Sequence, residues 1–172
     1  MNYIRENLAV CGYHEIGSRE RFQSHGFHAQ LQCAGSFDAW LADVVEVKAA
    51  PFDDGMPIPQ PLFRDAQAWL DAHWDKGHKI LISCAAGKSR SITMAIALLY
   101  RKSKGSFRDS VREVFSRIPD AYPHPHVLMS ASKYCAAPLS SAELRGIYSE
   151  VKVQPPYAWA DELLQEAVAQ SQ

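Results

Sequence analysis

The chain has 172 residues, enough for one domain with a sizeable core and too few for two. Hydrophobic residues make up 47% and charged residues 22%, which excludes a disordered or collagen-like chain. Lys and Arg number 18 against 19 Asp and Glu, a formal net charge of -1 that argues against a polybasic surface for nucleic acid or membrane.

In chain order, the opening residues carry Arg5 and Glu6 and no apolar signal core, so export is not expected. Residues 7–11 (NLAVC) form a short apolar run, and residues 27–33 (FHAQLQC) alternate around Leu31. Residues 43–47 (DVVEV) are rich in Val, and residues 79–83 (KILIS) follow the same style; all four read as strands. Over 61–74, Leu62, Phe63, Ala66, Trp69, Leu70 and His73 recur at three- and four-residue steps, the stripe of an amphipathic helix. Residues 91–101 are apolar nearly all round and predict a buried helix, far shorter than the ~20 residues of a membrane span. Phe107, Val111, Val114, Phe115 and Ile118 mark another amphipathic helix, ended by Pro119. Proline-rich loops are expected over 51–61 and 119–125, and two short helices over 140–151 and 157–169, split by Pro155 and Pro156. Leu144, Ile147, Tyr148, Trp159, Leu163 and Leu164 predict that this tail packs on the core, and Trp40, Trp69 and Trp74 fall on apolar faces too. Strands alternating with helices make the fold class α/β, a central and mainly parallel sheet flanked by helices.

The stretch Cys84-Ala85-Ala86-Gly87-Lys88-Ser89-Arg90-Ser91 joins a predicted central strand to the predicted buried helix. A tight loop there gathers backbone N–H groups into one concavity, and the helix N-terminus adds partial positive charge. Ala85, Ala86 and Gly87 have no bulk, so an anion can approach the backbone. Arg90, six residues after Cys84, can fold back and grip two phosphate oxygens. A positive field of this kind suits a thiolate nucleophile, which makes Cys84 the candidate. The remaining cysteines, Cys11, Cys33 and Cys135, are too sparse for a secreted disulfide scaffold, and a cytoplasmic chain with reduced thiols is expected.

Cys84 to Ser91 resembles the signature loop of the cysteine-dependent protein tyrosine phosphatases, in the CxxGxSRS form of the dual-specificity branch. The resemblance implies that Cys84 attacks phosphorus to form a phosphocysteine and that Arg90 binds the equatorial oxygens. It also implies that Ser91 helps the thiolate leave, with phosphate held along Ala85, Ala86, Gly87, Lys88, Ser89 and Arg90. That family takes a general acid from an upstream loop. Pro51-Phe52-Asp53-Asp54-Gly55 resembles the PFDDG loop of the small prenylated branch, which points to Asp54 as the acid with Asp53 as the alternative. Residues 5–12 and 26–33 resemble the family's opening strands, and Pro125-His126-Val127-Leu128-Met129 sits where it has a Pro-Asn-x-x-Phe helix start. The expected organisation is therefore a catalytic region over 1–137 and a helical extension over 138–172.

Three departures accompany the resemblance. Ser83 stands where the family has His, so weaker activation of Cys84 is expected; His126 replaces Asn; and the ending Ala169-Gln170-Ser171-Gln172 has no lipidation cysteine, so no membrane anchor is expected. The implied function is a phosphomonoester hydrolase acting on a phosphorylated protein or peptide, phosphotyrosine first, with no cofactor, no metal and no nucleic-acid partner. Lys88 motivates an alternative phosphoinositide substrate, and Ser83 a non-catalytic phosphate-binding module. Cys33, ending the second predicted strand, is a candidate to approach Cys84. His124-Pro125-His126 reads as a loop rather than a metal site, and His25, His28, His73 and His78 are scattered, with no spacing that predicts a cluster.

Overall fold

The computed structural model describes residues 1–35 and 39–151. Five strands form one sheet: β1 (Asn2–Arg5), β2 (Leu8–Gly12), β3 (Ala29–Gln32), β4 (Glu46–Ala49) and β5 (Ile80–Cys84), ordered β1-β2-β5-β3-β4. β5 lies in the middle, parallel to β2 and β3, and all five of its residues are buried. A strand covered on both faces must be apolar throughout, which the run Ile80-Leu81-Ile82 satisfies. Only β1 is antiparallel, paired to β2 at one edge.

The helices are α1 (Arg19–Ser24), α2 (Gln60–Asp75), α3 (Arg90–Lys102), α4 (Phe107–Arg117), α5 (Pro125–Tyr134) and α6 (Ser141–Glu150). The two-residue period of the strands divides the core. Leu8, Val10, Leu31, Ile80 and Ile82 face the larger cluster, built with α2 to α6. Ala9, Cys11 and Leu81 face a smaller one, closed by Ile16, Phe22, Phe27 and Leu41. α3 runs through the larger layer, and its residues from Ser91 to Leu99 are all buried. α4 and α6 each begin with a capping box, Ser106 with Asp109 and Ser140 with Glu143, which satisfies the first free N–H groups of each helix. α6 contributes Leu144, Ile147 and Tyr148 to the same larger core. The helix expected over 157–169, with Trp159, Leu163 and Leu164, lies outside the described residues.

Several local expectations are corrected. The Val-rich run does not start a strand at 43: Val44 and Val45 donate to the Leu41 carbonyl in a turn, and β4 begins at Glu46. β1 and α1 carry no periodic signal, since each buries a single side chain, Ile4 and Phe22. Pro125 opens α5, with the His124 Nδ1 accepting from the His126 N–H at 3.2 Å, so His124-Pro125-His126 is a helix start rather than a loop. His28, His73 and His78 are not scattered: His73 and His78 meet Nδ1 to Nδ1 at 2.8 Å, and His28 stacks on His78 at 4.9 Å. They precede β3 and β5, at the edge of the sheet opposite the loop after Cys84. Trp69 and Trp74 pack against the larger core and Trp40 against the smaller.

Candidate active site

Parallel strands deliver their following loops to one edge of the sheet, and here the loops after β2, β3, β4 and β5 converge. Residues 85–89 turn directly from β5 into α3. Gly87 has φ +72°, and a Cβ there would collide with the Gly12 nitrogen and the Cys11 carbonyl carbon. Only glycine allows the loop to lie this close to the end of β2. Ala86 forms an antiparallel bridge with Gly12, and the Tyr13 N–H donates to the Ala85 carbonyl at 3.1 Å.

This clamp points the loop inward. The Gly87 N–H reaches the Cys84 sulfur at 3.3 Å, and the Ser91 hydroxyl lies 3.3 Å from the same sulfur. Cys84 sits on the wall of a cavity of about 140 Å³ together with Asp54, Ala85, Ala86, Lys88, Ser89, Arg90 and Tyr122. The Arg90 Nη1 donates to the carbonyls of Cys33 at 3.2 Å and Phe52 at 3.0 Å. Its Nε is buried and has no hydrogen-bond partner among the described residues.

Asp54 reaches the cavity through a chain of polar contacts. The Ser89 hydroxyl donates to Asp54 Oδ1 at 2.6 Å while accepting the His124 N–H at 2.9 Å. The His126 Nδ1 donates to the Gly55 carbonyl at 3.1 Å, which fastens the next residue of the same loop to α5. Asp53 points elsewhere, into a neighbouring cavity of about 440 Å³ that it shares with Arg90, Met56 and Pro57. Burial, then the neighbouring His126, hold the His124 imidazole below its usual range, with Asp54 opposing them. Burial pushes Cys11 up to about 12, and Cys33 well above the ordinary thiol range, in each case with the nearby Cys84 adding to the rise.

No protein-family model matches the chain. Among curated proteins, a stretch of 72 residues is 29% identical to dual specificity protein phosphatase 1B of Arabidopsis thaliana; it covers 42% of this chain and 43% of that protein, less than half its length. Among solved structures, human DUSP28 superposes with a TM-score of 0.71 at 22% identity, over 80% of this chain and 96% of that one. A mouse putative dual specificity phosphatase complexed with zinc tungstate gives 0.70 at 21%, over 85% and 90%. The human tyrosine phosphatase-like serine/threonine/tyrosine-interacting protein gives 0.67 at 19%, over 79% and 95%.

The fold is that of the dual-specificity phosphatases.

Within it, Cys84, Arg90 and Asp54 meet at one cavity, the buried Ser91 touches the Cys84 sulfur without lining that cavity, and Ala85 and Ala86 form its exposed rim. Lys88 turns outward: its Nζ pairs with Asp120 at 3.2 Å, both side chains largely exposed, and its carbonyl accepts from the Tyr122 N–H at 2.7 Å. Ser83 faces the layer opposite Cys84 and accepts from the Gln30 Nε2 at 3.0 Å, in a buried polar group with Gln32. All four cysteines are free; the Cys33 carbonyl anchors Arg90. Sequence reasoning missed Ser89 as the link between the two loops, His124 as the cap beside it, and Tyr122 on the cavity wall. Their segments are far apart in the chain, and only the Pro after His124 signalled a helix start.

Proposed function

We propose that the chain is a phosphomonoester hydrolase of the protein tyrosine or dual-specificity type, acting through a phosphocysteine intermediate. The observation that carries this reading is a sulfur contacted at 3.3 Å by both the Gly87 N–H and the Ser91 hydroxyl, in a cavity that also presents Arg90 and Asp54. In the first step the Cys84 thiolate attacks phosphorus, the phosphorus–ester oxygen bond breaks, and Asp54 gives its proton to the departing oxygen. Loop N–H groups and Arg90 hold the three equatorial oxygens as charge builds on them. In the second step Asp54 takes a proton from water, the resulting oxygen attacks phosphorus, and the sulfur–phosphorus bond breaks. A hydrogen bond from the Ser91 hydroxyl stabilises the departing thiolate, which is left ready for the next attack, and inorganic phosphate is released. Asp54 is preferred over Asp53 because it shares the cavity with Cys84.

The proposed substrates are phosphorylated proteins or peptides, phosphotyrosine first, met in the cytoplasm. Residues 1–137 would carry the site, with the segment from 138 as an extension packed on it; the place of α6 in the larger core supports that packing. The Lys88–Asp120 pair counts against a phosphoinositide role for Lys88, since its charge is already partnered.

The test is phosphate release from a phosphotyrosine peptide, a phosphothreonine peptide and short-chain phosphoinositides, with Cys84→Ser alongside. Release from a peptide that disappears in the variant is expected. Release from the lipids alone would move the substrate class, and phosphate binding without any turnover would leave a binding module.

A further inference from the structure

Beside the loop that carries Asp54 lies an apolar groove of about 540 Å³, which the reaction above does not use. Met56 and Pro57 form one wall, Met129, Lys133 and Tyr134 of α5 the other, and Leu139 closes an end. The groove is preformed, because its walls are stitched together. The Ile58 N–H donates to the Ser130 hydroxyl at 3.0 Å, and the Tyr134 hydroxyl donates to the Ile58 carbonyl at 2.9 Å.

Three observations define the occupant. First, the outer cavity lies between the groove and the phosphate site, sharing Met56 and Pro57 with the groove and Arg90 with the cavity of Cys84. Met56 is two residues from Asp54, a span of at most about 7 Å, and an extended peptide advances about 3.3 Å per residue. Second, Met56 is 60% exposed; among the described residues Tyr3 is the other large hydrophobic side chain on the surface. Tyr3 lies on the edge strand β1, so the described surface gives a second copy of the chain little to insert. A groove of this size also takes a side chain, not the roughly 800 Å² per partner of a standard protein interface. Third, Lys133 is exposed and forms no ion pair among the described residues, so the rim attracts negative charge.

We propose that this groove is a substrate subsite that takes a bulky apolar side chain of a phosphorylated peptide, within about four residues of the phosphorylated one, with an acidic neighbour facing Lys133. The inference rests on the reading of the phosphate loop given above, and it names what that site recognises beyond the phosphate.

The experiment scans one Leu through positions -4 to +4 of an Ala-rich phosphotyrosine peptide, with and without an adjacent Glu. The readout is the ratio of kcat/KM for each Leu peptide to that of the Ala peptide. Burial of one Leu side chain should raise the ratio about tenfold at one offset, and the adjacent Glu should raise it further. Leu139→Asp should return the ratio to about one, and the surface change Lys133→Glu should abolish the gain from Glu. Ratios within about twofold at every offset, or a ratio that survives Leu139→Asp in a folded protein, would overturn the proposal. So would flat ratios with a dimer that Leu139→Asp disperses, which would assign the groove to a second copy. The same peptides are titrated onto Cys84→Ser by fluorescence anisotropy. Selective binding without hydrolysis by the wild type would keep the subsite and sink the hydrolase, whereas hydrolysis with flat ratios would do the reverse.

Discussion

Adjacent carboxylates acquire different surroundings in this fold. Asp54 takes a 2.6 Å hydrogen bond from Ser89 beside Cys84, while Asp53 lines the outer cavity. Asp54→Asn should therefore lower kcat on a phosphotyrosine peptide by about 10²–10⁴-fold, the usual contribution of a general acid. The loss should shrink for an aryl phosphate whose leaving group needs no proton. Asp53→Asn should stay within a few-fold of wild type in both assays; if instead it carries the leaving-group dependence, the roles of the two residues are exchanged. How legible the site was follows from where its residues lie. Cys84, Arg90 and Ser91 were visible because a strand, loop and helix in direct succession hold all three. Asp54 came through a resemblance of its own loop. The Asp54–Ser89–His124 chain was not visible, because three segments meet there without any shared spacing.

Among the elements, α5 ties the acid-bearing loop to the phosphate loop, and its cap is titratable. His124 Nδ1 accepts the His126 N–H, which requires an unprotonated nitrogen. Its folded-state value is depressed by burial, so on acidification the unfolded chain takes up the proton first. Stability from this group is complete above the ordinary imidazole value, about 6.5, and is lost as pH falls below it. His124→Asn keeps a side chain suited to an N-cap and removes the titration. Thermal melts between pH 7.5 and 5.5 should show a smaller loss of Tm in the variant than in wild type, and equal losses would remove His124 as the cause. The elements themselves were readable in proportion to how much each buries. α2, α3 and α4 each place a long apolar stripe in the core, whereas β1 and α1 bury one side chain apiece and leave no period to detect. β4 slid because an edge strand, half-exposed on its outer side, has little to hold the Val-rich run in register.

Across the whole molecule, the larger core does not stop at the helices around the site. α6 inserts Leu144 and Ile147, both fully buried, and the Tyr148 hydroxyl donates to the Pro123 carbonyl at 2.6 Å, one residue before the cap of α5. Leu144→Ala should cost about 2–5 kcal/mol of stability in denaturant unfolding, the range for a fully buried Leu. A loss below about 1 kcal/mol would show that α6 is not part of the cooperative unit. Because Tyr148 braces the same segment that supports Ser89, part of this cost should also appear as reduced turnover before unfolding begins.

Arg90 reaches the cavity already held in place. Its Nη1 is held by the carbonyls of Cys33 and Phe52, the ends of two different loops. A long arginine that must be stilled on binding forfeits about 1.5–2 kcal/mol of rotamer freedom. Here that stilling happens when the chain folds. An arriving anion meets a cation whose orientation is already set, and the direction of its approach is decided before it makes contact.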